Sequence, residues 1–398
     1  MAYKNHIAKY NNSQEIQDAV NNGNLEKPYV ALAGNALDFN TKVVFDVDAQ
    51  DMEFPASGGT SAITITASQD WTITLPAWLS ASTLSGNSSQ EVTVSATTTQ
   101  QAHEGTISVS AATTAVTINV EQAEPVIDYS TMYFTIEALQ AGQFTSDNAP
   151  FSYSINGGEW TATDYETPMQ VQVQAGDKIR FKAESDICVP SFTYEMMDFD
   201  FNCYGNIMSL LYGDNFVGQT TLTGGADHVF SDNIHIISAE HLILPATTLI
   251  DRCYEFMFGG CYNLTTPPAL PALTLADYCY SNMFAGCTGL TSFPALPATT
   301  LAEGCYSGMF NGCYGMETSP VLPALTLADS CYYGMFMDCG NLMNVTCLAT
   351  DISAIDCLTT WLDGVSFVGT LHKNPLPTNV WEPGVNIPEE WTVEDYSA

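Results

Sequence analysis

The chain has 398 residues, with 44 acidic against 9 basic side chains and a formal net charge of −35 at pH 7. A surface this negative repels phosphates, so no nucleic acid partner is expected. No stretch approaches the roughly 20 consecutive apolar residues of a membrane helix, so no membrane insertion is expected either. The length predicts two to four domains.

The first segment, residues 1–48, differs from the rest because its charges balance over the first 42 residues. Asn12 and Glu15 predict a capping box for a short helix, and two extended stretches follow. The segment is too small to bury a core alone, so we expect it to order against another chain or a platform. Its opening residues, Met1–His6, are not followed by an apolar stretch, so they do not form a secretory signal. The lack of such a signal would suit a virion protein that is released by lysis.

The amino-acid sequence of this segment resembles the N-terminal arm of many Bacteroides phage proteins. That resemblance implies an attachment arm; the alternative is a flexible leader without a role. The residues of the candidate anchor are Tyr3, Tyr10, Ile16, Val20, Pro28, Tyr29 and Leu32.

Residues 49–123 predict a small all-β domain. Alternating stretches such as 62–66, 91–95, 106–110 and 116–120 are separated by Gly- and Ser-rich turns, and this spacing favours an immunoglobulin-like β-sandwich. The segment resembles a BACON domain in Phe54–Gly59, Trp71, Trp78-Leu79, Ser85-Gly86 and Val120–Gln122. The resemblance implies carbohydrate binding, but we interpret both tryptophans as core residues and the domain as a spacer.

Residues 124–236 predict a second β domain, which is similar to the β domain that often precedes repeats of the kind described next. Asn156-Gly157-Gly158 and Ala175-Gly176-Asp177 each predict a hairpin between two alternating stretches. The apolar stretch 204–212 is expected to join this domain to the repeats, and residues 230–242 to cap them.

Residues 237–365 contain a unit that recurs every 26 residues without insertion. Leu-Pro-Ala begins each copy at Leu244, Leu270, Leu296 and Leu322, and a degenerate copy starts at Leu348. Each of the first four copies then carries a cysteine, a Met-Phe pair and a second cysteine, and the degenerate copy keeps only the first cysteine, Cys357. The period and the fixed leucines favour a solenoid, and the units resemble BspA-type leucine-rich repeats of Bacteroidetes surface proteins and of the phages that infect those bacteria.

Within one copy, apolar residues stand four apart, at Leu275, Cys279, Met283 and Cys287. This spacing predicts a helix with one buried stripe that ends at Gly286. One short strand or extended rung is expected to follow at 290–296. We therefore expect a chain that is mainly β with an α/β solenoid.

The cysteines predict core packing. Two cysteines eight apart on a helix are roughly 12 Å apart, too far for a disulfide, and the spacing matches no zinc pattern. Free cysteine is among the most buried residue types. No metal and no cofactor is predicted.

One tyrosine follows the first cysteine of each copy and should lie about 100° around the helix from the buried stripe. Stacked copies would align these rings as a ladder that contacts a sugar or a protein; the alternative is that the rings pack between repeats. The four candidate ligand contacts are Tyr254, Tyr280, Tyr306 and Tyr332. Residues 366–398 are expected to cap the array with Trp381 and Trp391.

No catalytic constellation emerges, since the six histidines are scattered and the sequence lacks nucleophile-elbow and phosphate-loop motifs. We expect a non-enzymatic virion protein that resembles appendage proteins of crAss-like Bacteroides phages. The expected role is a capsid-attached head fibre or decoration on the virion surface, anchored to a capsid or other virion protein by residues 1–48. It would form a homo-oligomer, with a trimer favoured, and contact a host glycan or protein through the repeats. The alternatives are a tail-associated fibre or a bacterial surface adhesin.

Overall fold

The computed structural model describes residues 44–99, 101–123, 127–146, 150–163, 169–184, 191–222, 224–376 and 381–397. The described chain is mainly β, and it divides between Ile127 and Asp128 into two compact units. The predicted anchor residues, Tyr3 to Leu32, lie outside the described residues.

The described part of the first unit contains nine strands. They are β1 (Phe45–Asp48), β2 (Met52–Phe54), β3 (Gly59–Ala67), β4 (Trp71–Thr74), β5 (Leu79–Ala81), β6 (Ser85–Gly86), β7 (Gln90–Ala96), β8 (His103–Ala111) and β9 (Thr114–Gln122).

Two sheets of the first unit share one hydrophobic core. One has the order β1-β3-β7-β5 and the other β2-β9-β8-β4-β6. Alternate residues of the central strands are fully buried, including Ile63 and Val92 in one sheet and Ile107 and Val120 in the other. The four predicted strands of this segment are confirmed, and Trp71 is a core residue as predicted. β1, from the end of the expected arm, pairs with β3.

The second unit begins with seven strands and one short helix. The strands are β10 (Phe134–Ala138), β11 (Gly142–Ser146), β12 (Phe151–Ile155), β13 (Thr161–Ala162), β14 (Met169–Val173), β15 (Lys178–Ala183) and β16 (Phe201–Asn206); the helix is α1 (Ser209–Tyr212). Single 3-10 turns span Tyr129–Thr131, Tyr194–Met196 and Gly213–Asn215.

A six-stranded sheet connects this region to the repeats. Its order is β13-β12-β15-β10-β16, and the outermost strand is β17 (Ile236–Ile243). The hairpin predicted at Asn156-Gly157-Gly158 joins β12 to β13. The hairpin predicted at Ala175–Asp177 is wrong, because β14 pairs with β11 while β15 pairs with β10 and β12. One continuous core runs from Phe134 to Trp391, so the described residues of the second unit pack as one body.

The predicted helix of each copy is wrong. Consecutive turns occupy these positions, and we call each run a turn ribbon: residues 251–260, 277–286, 303–312, 329–338 and 355–364. In the ribbon 277–286, the N–H of Ser281 donates to the carbonyl of Tyr278, three residues back. The N–H of Tyr280 donates to Cys305 in the next copy. The backbone therefore closes tight turns at every second residue and joins neighbouring copies at the residues between.

Every fourth residue of a ribbon has a positive φ, which no α-helix tolerates. In one copy these are Tyr278, Asn282 and Gly286, and in the next Gly304, Gly308 and Gly312. The four-residue spacing of buried side chains is real, but it follows the period of the turns. Gly286 has the left-handed conformation expected of a helix end, here as one of three such turn positions.

Regular strands appear only in the later copies. They are β18 (Thr318–Leu322), β19 (Asn344–Cys347), β20 (Gly369–Lys373) and β21 (Trp391–Asp395), which form a parallel four-stranded sheet. Of the two alternatives predicted for 290–296, the strand is wrong, since this stretch forms no ladder in the structure, and an extended rung remains. Trp381 and Trp391 are buried at the end of the array, and Trp381 lies 5.7 Å from Trp361 between ring centroids.

Candidate ligand-binding surfaces

The four predicted ligand-contact tyrosines form a ladder, but the ladder lies inside the core. Stacked neighbours have ring centroids 5.7, 5.9 and 6.2 Å apart, and each residue is at most 2% exposed. Contact of a ligand with these rings is therefore excluded in this structure. The residues concerned are Tyr254, Tyr280, Tyr306 and Tyr332.

The turn ribbon explains this burial. On a helix, the residue after a buried cysteine would rotate by about 100° toward the surface. In the ribbon, two consecutive residues of every four point inward, so Cys279 with Tyr280 and Met283 with Phe284 are all buried. A phenylalanine column stacks beside the tyrosines, with Phe258 5.4 Å from Phe284. The repeat core thus contains two aromatic columns.

The cysteines of the array are free and buried. The second cysteine of a copy donates its thiol hydrogen to a phenylalanine carbonyl in the preceding copy: Cys287 lies 3.0 Å from the oxygen of Phe258, and Cys313 3.2 Å from that of Phe284. Burial raises the pKa of the Cys253 and Cys331 thiols to about 12. Among the described residues, no group of His, Cys, Asp and Glu side chains could hold a metal ion.

The exposed side of the ribbons carries a column of acidic side chains, whereas the tyrosine ladder lies in the core. Its members are Asp251, Asp277, Glu303 and Asp329, one per copy, and Asp251 and Asp277 each accept a hydrogen bond from the backbone of the next copy. Tyr262 and Tyr314, two copies apart, are 52% exposed. These residues are among the side chains that the repeats present to solvent, together with apolar ones such as Leu273, which is 62% exposed.

The outer face of the six-stranded sheet carries a cluster of basic side chains, one of which, Lys178, is paired with Glu137 at 3.7 Å. Three of the nine basic residues of the chain lie on alternate positions of β15: Lys178, Arg180 and Lys182. Alternate residues of a strand point to one face, while Ile179 and Phe181 point into the core. We call this surface the cation–aromatic face: Lys178, Arg180 and Lys182 with the rings of Tyr133, Trp160 and Tyr204.

Trp160 is the centre of this face. The ammonium of Lys182 lies 4.7 Å and the guanidinium of Arg180 5.3 Å from its ring centroid. Tyr133 packs edge-on against Trp160 at 4.9 Å and lies 6.0 Å from Arg180. Such cation–π contacts contribute about 0.5–2 kcal/mol each, and they hold the side chains in one arrangement.

The charges of the face are only partly compensated. Lys182 contacts Asp214 at 2.9 Å, and this hydrogen bond lowers the pKa of the Asp214 carboxyl. Burial, followed by the hydrogen bond to Asp214, raises the pKa of Tyr133. Arg180 donates to Ser154 Oγ at 2.8 Å, but its buried Nε has no hydrogen-bond partner and it forms no ion pair among the described residues. In the part of the chain that the structure describes, no carboxylate therefore neutralises the charge of Arg180.

The cation–aromatic face was not predicted from the sequence. The stretch from Lys178 to Lys182 was interpreted only as half of a hairpin, although its alternation of basic and apolar residues was visible. The position of Trp160 above the cations depends on the β12–β13 hairpin and could not be read from the sequence.

The first unit contains a shallow groove of about 450 Å³ between β2, β8 and β9. Trp78 stacks on His103 at 5.3 Å near the groove, and Phe54 lines it. Trp78 is partly exposed rather than a fully buried core residue.

No helix among the described residues is long and apolar enough to cross a membrane. No family model and no curated protein matches the chain. Among solved structures, it is similar to a Bacteroides ovatus GH5 xyloglucanase in complex with a XXXG heptasaccharide, with 27% identity over 22% of this chain and 21% of that one, and a TM-score of 0.20. The chain thus spans about a fifth of that enzyme's length, and a likeness this low carries no argument about function.

Proposed function

We propose that this chain is a non-enzymatic structural protein on the virion surface of a Bacteroidetes-infecting phage, most simply a capsid-attached head fibre or decoration. The observation that carries the proposal is the repeat array, in which backbone hydrogen bonds join each copy to the next around two buried aromatic columns. Such an array suits the rigid display of a surface, and the residues of its repeats resemble units found in phages of these bacteria.

The same proposal includes a fold family for the first unit and one for the repeats. The first unit is an immunoglobulin-like sandwich of BACON type, supported by its two sheets around one core. The repeats are a leucine-rich-repeat solenoid without helices, supported by the 26-residue register of their hydrogen bonds. Residues 1–48 would attach the protein to a capsid or other virion protein, and copies would assemble as a homo-oligomer, with a trimer favoured.

The ligand of the displayed surface is a host glycan or protein. With the tyrosine ladder buried, the cation–aromatic face is better equipped to bind a glycan than the acidic repeats are. Aromatic rings stack on the apolar faces of sugars, and guanidinium groups bind carboxylates in bidentate fashion. Arg180 beside Trp160 therefore favours a sugar that carries a carboxylate.

The location is tested by mass spectrometry of purified virions from a phage that encodes this chain. We expect its peptides in a constant ratio to the major capsid protein. Their absence from pure virions would contradict the proposal. Peptides in tail fractions alone would favour the tail-fibre alternative, and surface labelling of uninfected bacteria would favour the adhesin.

The ligand is tested by calorimetric titration with an oligogalacturonate and with a neutral galactose oligomer of equal length. We expect binding of the acidic oligomer alone, and weaker binding by about tenfold or more in Arg180→Gln. Lys373→Gln is the matched control, because Lys373 is paired with Asp395 on β21, in a different sheet. Equal affinity for both oligomers, or an equal loss in both variants, would contradict this assignment.

A further inference from the structure

The C-terminal end of the array exposes a row of unpaired backbone donors. In the ribbon 329–338, the N–H groups of Tyr332, Gly334, Phe336 and Asp338 donate to carbonyls of the ribbon 355–364 at 2.7–3.1 Å. The equivalent groups, 26 residues later, have no following ribbon among the described residues. No described residue accepts a hydrogen bond from these N–H groups, which belong to Leu358, Thr360, Leu362 and Gly364.

The described residues supply only the strand half of the next copy. β21 pairs in parallel with β20 and so continues the strand side of the array. On the ribbon side, residues 384–390 run alongside without supplying acceptors to the row. One of them, Asn386, accepts a hydrogen bond from the indole of Trp361 at 2.7 Å.

The unpaired row lines a groove of about 410 Å³ between the last ribbon and residues 384–390. Such a row of N–H groups can bind the backbone of another peptide. A peptide in extended form or in a turn ribbon presents a carbonyl at every second residue, and these carbonyls can accept hydrogen bonds from the row. The rim of the groove combines exposed apolar and acidic side chains. Phe367 is 77% and Val385 75% exposed, and Asp363, Glu389 and Glu390 are the acidic lining residues.

We propose that this groove binds a peptide segment of a partner protein that carries alternating basic and apolar residues and adds its backbone to the array as the missing ribbon. Its carbonyls would accept from the four N–H groups, its apolar side chains would cover Phe367 and Val385, and its basic side chains would face the three carboxylates. A second copy of this chain is a poorer occupant, because a net charge of −35 makes two copies repel each other. The inference does not depend on the location proposed above.

The test is residue-resolved amide hydrogen exchange of the full chain. In the free protein, the N–H groups of Leu358, Thr360 and Leu362 should exchange fast, while those of Tyr332, Gly334 and Phe336 are protected. The probe is the capped peptide Lys-Val-Lys-Val-Lys-Val-Lys, and it should slow exchange in the row by about tenfold or more. The same peptide with Glu for Lys should not.

Variants separate groove binding from general attraction to an acidic protein. Glu389→Lys with Glu390→Lys should abolish the protection by the probe. Asp46→Lys with Asp48→Lys, an exposed pair in the other unit, makes the same change of charge and should preserve it. Unchanged exchange at Tyr332–Asp338 confirms that each variant is folded.

Three outcomes would overturn the proposal. Protection of the row in the free protein would show that the chain caps itself. Protection that rises with protein concentration alone would make a second copy the occupant. Protection spread evenly over the surface, or none at the row, would mean that the groove does not take a backbone.

Discussion

Removal of a single hydroxyl from the core should stabilise this protein. The hydroxyl of Tyr254 is buried and has no hydrogen-bond partner, while its ring stacks on Tyr280 at 5.7 Å. A buried polar group without a partner costs about 1–3 kcal/mol. Tyr254→Phe keeps the ring and removes that cost, so we expect a gain of about 1 kcal/mol after allowance for the lost contacts of the oxygen.

The assay is thermal unfolding of the full chain, followed by a near-ultraviolet signal of the second unit. For chains of about 150–250 residues, 1 kcal/mol shifts Tm by about 2–4 °C, and we expect an increase of that size. Tyr254→Ala is the opposing control, because loss of the buried ring should cost about 3–5 kcal/mol. If Tyr254→Phe instead lowers Tm by 2 °C or more, the hydroxyl has a partner and the reasoning is refuted.

Three further predictions concern the array. Its thiols should not react with an aromatic disulfide reagent in the native protein at pH about 8 and should react fully in denaturant; rapid native labelling would contradict their burial. The contribution of the buried thiols to stability should be constant below pH about 9 and be lost toward pH about 12, because thiols such as Cys253, whose folded pKa is raised from 9.0 to about 12, ionise first in the unfolded chain. Urea titrations at pH about 8 and about 10 measure this, and equal midpoints would contradict it. Gly312→Ala should lower the free energy of unfolding by about 1–2 kcal/mol because of its left-handed φ alone, since an added Cβ meets nothing closer than 3.8 Å. Gly308→Ala should lower it more, because its Cβ would overlap the Asn282 side chain. Urea titration of the two variants measures both values, and the reverse order would contradict this prediction.

Alternation in the sequence was sufficient to predict four of the nine strands described in the first unit. The stretches 62–66, 91–95, 106–110 and 116–120 each lie within β3, β7, β8 or β9, because in a two-sheet core every second residue is buried. Asn156-Gly157-Gly158 predicted its hairpin for a local reason as well, since Asn156 and Gly157 adopt the positive φ that this turn requires.

The helix prediction failed because a spacing of four residues is close to the 3.6 of a helix. Over three steps of four, a helical stripe drifts by about 120°, so Leu275 and Cys287 could not share one face of a straight helix. The sequence carried one further signal. Gly304, Gly308 and Gly312 stand four apart, and glycine at such spacing indicates recurrent positive φ.

The candidate site could be predicted less well than the fold. The tyrosine ladder was predicted as a column, but whether it faced solvent or core depended on the backbone between the cysteines. The cation–aromatic face required a tertiary contact, Trp160 over Arg180 and Lys182, across two hairpin strands. The unpaired row at Leu358–Gly364 became visible only once the alternate hydrogen bonds between copies were known.

Cryo-electron microscopy of a phage particle that encodes this chain tests the central claim most directly. We predict density for symmetric copies outside the capsid, with residues 1–48 in contact with a virion protein and the repeat array further from the particle. Complete particles whose density is fully accounted for by other proteins would contradict the account.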